Sequence, residues 1–224
     1  MTGDHRTAPA ALVFHERDEA EDLAAFLGRQ LRWDRAAAAR LKADGEVVAV
    51  FTRPARFGVL AVRPCRLREA AVLDVTVSVG ALLNAFDGEQ GAFTVPEPVT
   101  GPSWAGVLPP RGGWSPVAEL PAEEVRGAAA AVVAEFRARN EGLPPRGRTR
   151  SALDAIAEEV WSRPLPGTRL PLRAVHAAHA LGLLRAPGPV TLLERGSWLR
   201  MRTPLGSTAT RGGGALPGLG VTPL

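Results

Sequence analysis

An α+β fold is predicted by three observations. Apolar residues recur at helical spacing in the first thirty positions and again beyond residue 121; alternating apolar runs occupy residues 47–77; and a Gly/Pro-dense stretch separates the two. The expected architecture is an N-terminal helix plus a small antiparallel sheet, then a C-terminal three-helix winged-helix-like region. The corresponding segments are 1–95 for the sheet region, 96–120 for a Pro/Gly/Trp loop or linker, 121–203 for the helical region, and 204–224 for a disordered tail.

Residues 16–27 place Leu23, Phe26 and Leu27 on one side of a helix. Five carboxylates, Glu16, Asp18, Glu19, Glu21 and Asp22, crowd its first turns, where the helix dipole favours negative charge. Asp34 is placed to cap a second helix over Arg35–Ala43, with Gly45 as its stop; one bent helix fits equally well. Strand-like runs follow at Val47–Thr52, Phe57–Val62 and Val72–Val77, with a hairpin connection at Pro54–Gly58. Ser78 then caps a short helix reaching Phe86. Residues 87–121 hold 13 Gly or Pro and both Trp104 and Trp114, the composition of a long loop.

Beyond it, Val125, Ala128, Ala129, Val132 and Phe136 share one helical face. Ser151 and Asp154 resemble a capping box that opens a helix whose apolar side is Leu153, Ile156, Ala157, Val160 and Trp161. A third helix is expected from Pro171 to Arg185, then two strands, Val190–Glu194 and Ser197–Thr203. From Pro204 onward 9 of 21 residues are Gly or Pro, so this tail is expected to be disordered and dispensable for folding.

Helix, helix, helix, strand, turn, strand is the order of a winged helix. Alternation along the last strand puts Trp198, Arg200 and Arg202 on one face and Leu199 and Met201 on the other. With Arg169 and Arg173 at the start of the third helix, these residues form a candidate set for contacting a phosphate backbone. The alternative is that Trp198 packs on the helices and the arginines keep an edge strand soluble. The Arg163–Leu170 connection is also longer than the 3–4-residue turn usual before a recognition helix.

Charge supports the same region. The chain carries a net charge of +4, but residues 1–140 hold 16 basic and 18 acidic groups, whereas 141–224 hold 11 and 5. Lys42 is the only lysine, a bias that fits high-GC coding as well as it fits phosphate binding. The arginines between Arg53 and Arg68 read either as an anion site or as the solvated rim of a hairpin. Trp104 and Trp114 read as a binding surface or as anchors that fasten a loop to the core.

Other chemistry finds less support. His176 and His179 are three apart on a helix, but no further ligand sits at matching spacing, so no metal or cofactor is expected. Cys65 is a lone cysteine, which reads as a small buried hydrophobe before it reads as a redox group. There is no phosphate-binding loop, dinucleotide fingerprint or nucleophile elbow. No leader peptide and no membrane-length apolar run is visible, so a cytoplasmic protein without membrane contact is expected.

The runs RAAAARLKADGEVVAVFTRPARFGVLAVRP and SWAGVLPPRGGW resemble stretches of an uncharacterised protein family of high-GC bacteria. The resemblance spans about residues 30–120 and implies no site residue. The functional expectation is a non-catalytic DNA-associated or regulatory protein that binds double-stranded DNA through its C-terminal basic region. A protein–protein adaptor and a small enzyme built around the histidines are the alternatives.

Overall fold

The computed structural model describes residues 11–212. Strand β1 (Ala11–Val13) leads into helix α1 (Arg17–Leu31), which buries Leu23, Phe26 and Leu27. A long hairpin follows, β2 (Ala38–Thr52) and β3 (Leu60–Ser78), then α2 (Val79–Asn84), β4 (Phe86–Asp87) and β5 (Ala92–Thr94). The second half runs β6 (Ser115–Pro121), α3 (Ala122–Glu141), α4 (Arg150–Ser162), α5 (Leu172–Ala180), β7 (Pro189–Arg195), β8 (Trp198–Thr203) and β9 (Gly206–Arg211). Strands β1, β5 and β4 form a small antiparallel sheet. The other six form one antiparallel sheet in the order β2-β3-β9-β8-β7-β6.

The hairpin curls. A straight strand of fifteen residues would reach ~50 Å, yet both ends of β2 lie beside the end of α1. Ala37 precedes the strand and bonds back to Asp34, while the Arg53 carbonyl accepts from Gln30 Nε2 at 3.1 Å. The register shift between Gly45 and Val47 supplies a bend. The half of the hairpin nearest its tip both contacts α1, through Arg63 to Asp22 and the Arg66 amide to Glu19, and pairs with β9 in the large sheet.

The expected second helix over Arg35–Ala43 is instead a turn followed, from Ala38, by strand β2. Its alanines favour a helix locally, but the segment also carries a period of two. Ala37, Ala39, Leu41 and Ala43 are buried, while Arg40 and Lys42 turn outward to share Asp74 on β3. Pairing along β3 outweighs the intrinsic preference. Asp34 caps no helix; its Oδ1 accepts from the Ala36 amide at 2.9 Å in a turn. Ser78 does cap α2, accepting from the Ala81 amide. Helix α4 is capped by Thr149 rather than Ser151.

The winged-helix expectation is overturned. Strands β7 and β8 are not a two-stranded wing beside three helices; they lie inside a six-stranded sheet that continues into the N-terminal hairpin. The small N-terminal sheet of the expected fold is likewise mostly part of that larger one. The tail expectation fails at residues 206–211. They form β9, hydrogen-bonded to β3 on one side and β8 on the other. Ser207, Thr208 and Thr210 are buried there, and the Thr208 hydroxyl donates to the Ala174 carbonyl of α5 at 3.1 Å. Small hydroxyl residues flanked by Gly look like linker in sequence, but a central strand supplies the ladder bonds they need. Truncation after Thr203 would remove β9, which among the described residues is what joins the two halves of the sheet, so it would lower the melting point. Residues 213–224 lie outside the described residues.

Candidate nucleic-acid interface

The alternation of β8 sorts its side chains as the sequence indicates. Leu199, Met201 and Thr203 are buried, and Met201 stands opposite Thr208, whose hydroxyl reaches α5. That face looks toward the helices. Trp198, Arg200 and Arg202 therefore share the opposite face of the sheet.

On this face Trp198 is flanked in register by Arg195 of β7 and Arg211 of β9. The Arg211 guanidinium sits 5.2 Å from the Trp198 ring centroid. Arg200 is more enclosed: it lies 5.5 Å from the Trp114 ring centroid, and its Nε donates to Ser207 Oγ at 2.9 Å. Burial lowers its pKa, with neighbouring Arg202 adding to the effect. Trp114 is itself fixed by its indole N–H, which donates to the Pro110 carbonyl at 2.9 Å, so the loop before β6 folds over the sheet. Arg195 donates to the Gly112 carbonyl of the same loop. Arg202 stands exposed, opposite Thr191 and Ser207. Glu119, opposite Thr191, places one carboxylate on this face beside four arginines.

The other two candidates are elsewhere. Arg169 is bonded to Glu194, its Nε donating to Oε1 at 3.1 Å. Arg173, at the first turn of α5, donates to Glu158 at 2.7 Å and to Ser162. The structure thus groups Trp198, Arg200 and Arg202 and leaves Arg169 and Arg173 apart. The sequence does not single out Arg195 or Arg211 for this face. The first sits at a turn and the second in the supposed tail, while Trp114 anchors its loop as one reading of its context suggested.

The hairpin arginines are not all a solvated rim. Arg63 is buried between elements, donating to Asp22 of α1 at 3.0 Å and to the Leu205 carbonyl at 2.7 Å. Cys65 is 1% exposed and burial pushes its thiol up to about 12, so it packs as an apolar group.

Among the described residues no group of three or more His, Cys, Asp or Glu could hold a metal. His176 stacks between Phe57 and Trp161, at 5.1 and 5.3 Å between centroids, and its Nδ1 is buried without a partner. Burial, with His179 as the lesser cause, depresses its pKa from 6.5 to about 4. The unfolded chain takes up this proton near pH 6.5 and the folded one only near pH 4. The stability contribution is therefore complete above pH 6.5 and is lost as pH falls toward 4, by on the order of 2–3 kcal/mol. His176→Phe should abolish that part of the pH dependence in urea melts across this window. An unchanged acid slope would show that the imidazole titrates normally.

Solved structures share this architecture. Over 93% of the chain it is similar to the DNA polymerase sliding clamp from Caulobacter crescentus, with a TM-score of 0.51 and 14% identity, covering 67% of that chain. The beta subunit from DNA polymerase of Streptococcus pyogenes matches 93% of the chain at a TM-score of 0.51 and 10% identity, covering 65% of that protein. The Pseudomonas aeruginosa sliding clamp gives 0.50 and 12% over 92% of the chain, again covering 65% of the clamp. The fold is thus sliding-clamp-like, and the chain spans about two thirds of the length of the clamps it matches. In sequence, residues 7–106 match one family model, Domain of unknown function (DUF8010), and residues 109–215 match another, Domain of unknown function (DUF8185). No curated protein matches the chain. No described helix is long and apolar enough to cross a membrane.

Proposed function

We propose that this is a DNA-associated protein of clamp-like architecture that binds the phosphate backbone without catalysing a reaction on it. The observation that carries this reading is the likeness of nearly the whole chain to DNA polymerase sliding clamps. The sheet face at β7–β9 supports it with a workable contact surface: exposed Arg195 and Arg211, which flank Trp198, and exposed Arg202 further along β8. Arg200 supports this surface from beneath, while Arg169 and Arg173 lie outside it. A protein partner is the second reading, favoured because the similar structures are polymerase subunits.

Duplex binding measured against salt concentration tests the first reading. Each phosphate neutralised releases counterions, so affinity should fall linearly on a log–log plot. Combining Arg195→Ala, Arg202→Ala and Arg211→Ala should weaken binding to all sequences alike and lower the slope by about one per lost contact. Failure of the unaltered protein to bind duplex DNA at low salt would reject the proposal. Binding that survives the triple substitution would move the interface to another face.

A further inference from the structure

The curled hairpin leaves an open groove of about 840 Å³ beside the end of α1, unrelated to the β7–β9 face. Its walls are the connection from Asp34 to Ala38, the hairpin tip at 53–58, the segment containing Trp104, and Arg173 of α5. Clefts that enclose small molecules run about 300–1,000 Å³. We propose that this groove binds a nucleotide, its phosphates held by Arg53, Arg56 and Arg173 and its ring laid against Trp104.

Three arginines from two elements line the groove, with Asp34 the one carboxylate among its lining residues. Arg53 and Arg56 are exposed and form no ion pair among the described residues. Arg173 commits its Nη2 to Glu158 and Ser162, and its Nη1 lies against Gly58 at the hairpin tip. Donors outnumber acceptors, which suits a polyanion. The tip is also held in place, since the Arg53 carbonyl is tied to Gln30 and Phe57 packs between Trp33 and His176. Arg56 has a φ of 70°, a left-handed conformation that costs an arginine free energy and aims its side chain from a fixed point. Half-buried Trp104 provides an aromatic surface on the opposite wall. One Asp34 oxygen is occupied by the Ala36 amide, and the other is left to accept from a sugar hydroxyl or ring amine. Arginines for phosphate, an indole for a planar ring and a single acceptor together describe a nucleotide better than a bare anion.

The test titrates the full chain, at low salt, with ATP, inorganic pyrophosphate and a short single-stranded oligonucleotide, read by calorimetry. ATP should bind. Arg53→Ala with Arg56→Gly should weaken it by about tenfold or more, as loss of charge-assisted contacts does. Glycine tolerates the left-handed position, so the double variant should melt no lower than the parent. Trp104→Leu should weaken ATP while leaving pyrophosphate unchanged. The proposal is overturned if neither ATP nor pyrophosphate binds, if the double variant binds ATP as tightly as the parent, or if Trp104→Leu has no effect on ATP. Oligonucleotide binding through the same arginines without ATP binding would also overturn it and assign the groove to a nucleic-acid strand.

Discussion

Gly206→Ala is expected to destabilise the protein by at least about 3 kcal/mol, the sum of backbone strain and overpacking. Gly206 opens β9 with a φ of 155°, a conformation L side chains rarely adopt. A Cβ there would press into the Val62 carbonyl oxygen of β3, with Leu183 Cδ2 a further 3.2 Å neighbour. The carbonyl belongs to the neighbouring strand and cannot swing aside like a flexible side chain, so relief requires β9 to move off β3. Gly196→Ala provides the control. It also has positive φ, at 55°, but nothing lies within 4 Å of its Cβ, so strain alone should cost about 1 kcal/mol. Urea melts of both variants measure the difference. Equal and small losses would mean that the β3–β9 contact is looser than described.

Phe93→Ala should cost about 3–5 kcal/mol, the range for emptying a buried aromatic site. Phe93 is 1% exposed in the middle strand of the small sheet. It meets Phe14 edge-on at 5.7 Å between centroids and Phe86 at 5.0 Å. Removing the ring leaves a cavity lined by two other aromatics that are held apart, Phe86 in β4 and Phe14 by its bridge to Leu67 of β3, and cannot both close in. The same melts, with amide exchange on β1 and β5, would localise the damage. A loss below ~0.5 kcal/mol, as for surface sites, would contradict this packing.

What was legible in the sequence followed from short-range pattern. The α1 stripe, the Ser78 cap, the hairpin arrangement and the facing of β8 all depend on neighbours a few residues apart. Val160 is buried as its helical stripe requires, with Ile156 and Trp161 packed beside it. What was lost depends on distant partners. The alanine-rich run enters a strand at Ala38 only because β3 returns alongside it, and Phe93 sits in a Gly/Pro-rich stretch that reads as loop. Residues 206–211 carry too few apolar side chains to announce a strand. Their burial comes from β3 and β8 on either side. The winged-helix reading failed for the same reason, since element order says nothing about which strands adjoin. The candidate site was read in part: β8 revealed three members, but Arg195, Arg211 and Trp114 join them only through sheet register and a folded-over loop.

The position of β9 also sets an order of events during synthesis. Val62 is made early, yet its partner Ser207 emerges only after helices α1–α5 and strands β1–β8. Until then β3 and β8 each present an open edge with unpaired amides and carbonyls, a template for mispairing. Closing so distant a contact is slow, because the intervening chain must be ordered before the pairing repays it. A nascent chain halted before residue 206 is therefore a pair of half-sheets exposed to aggregation, and the last strand acts as the bolt that makes them one body.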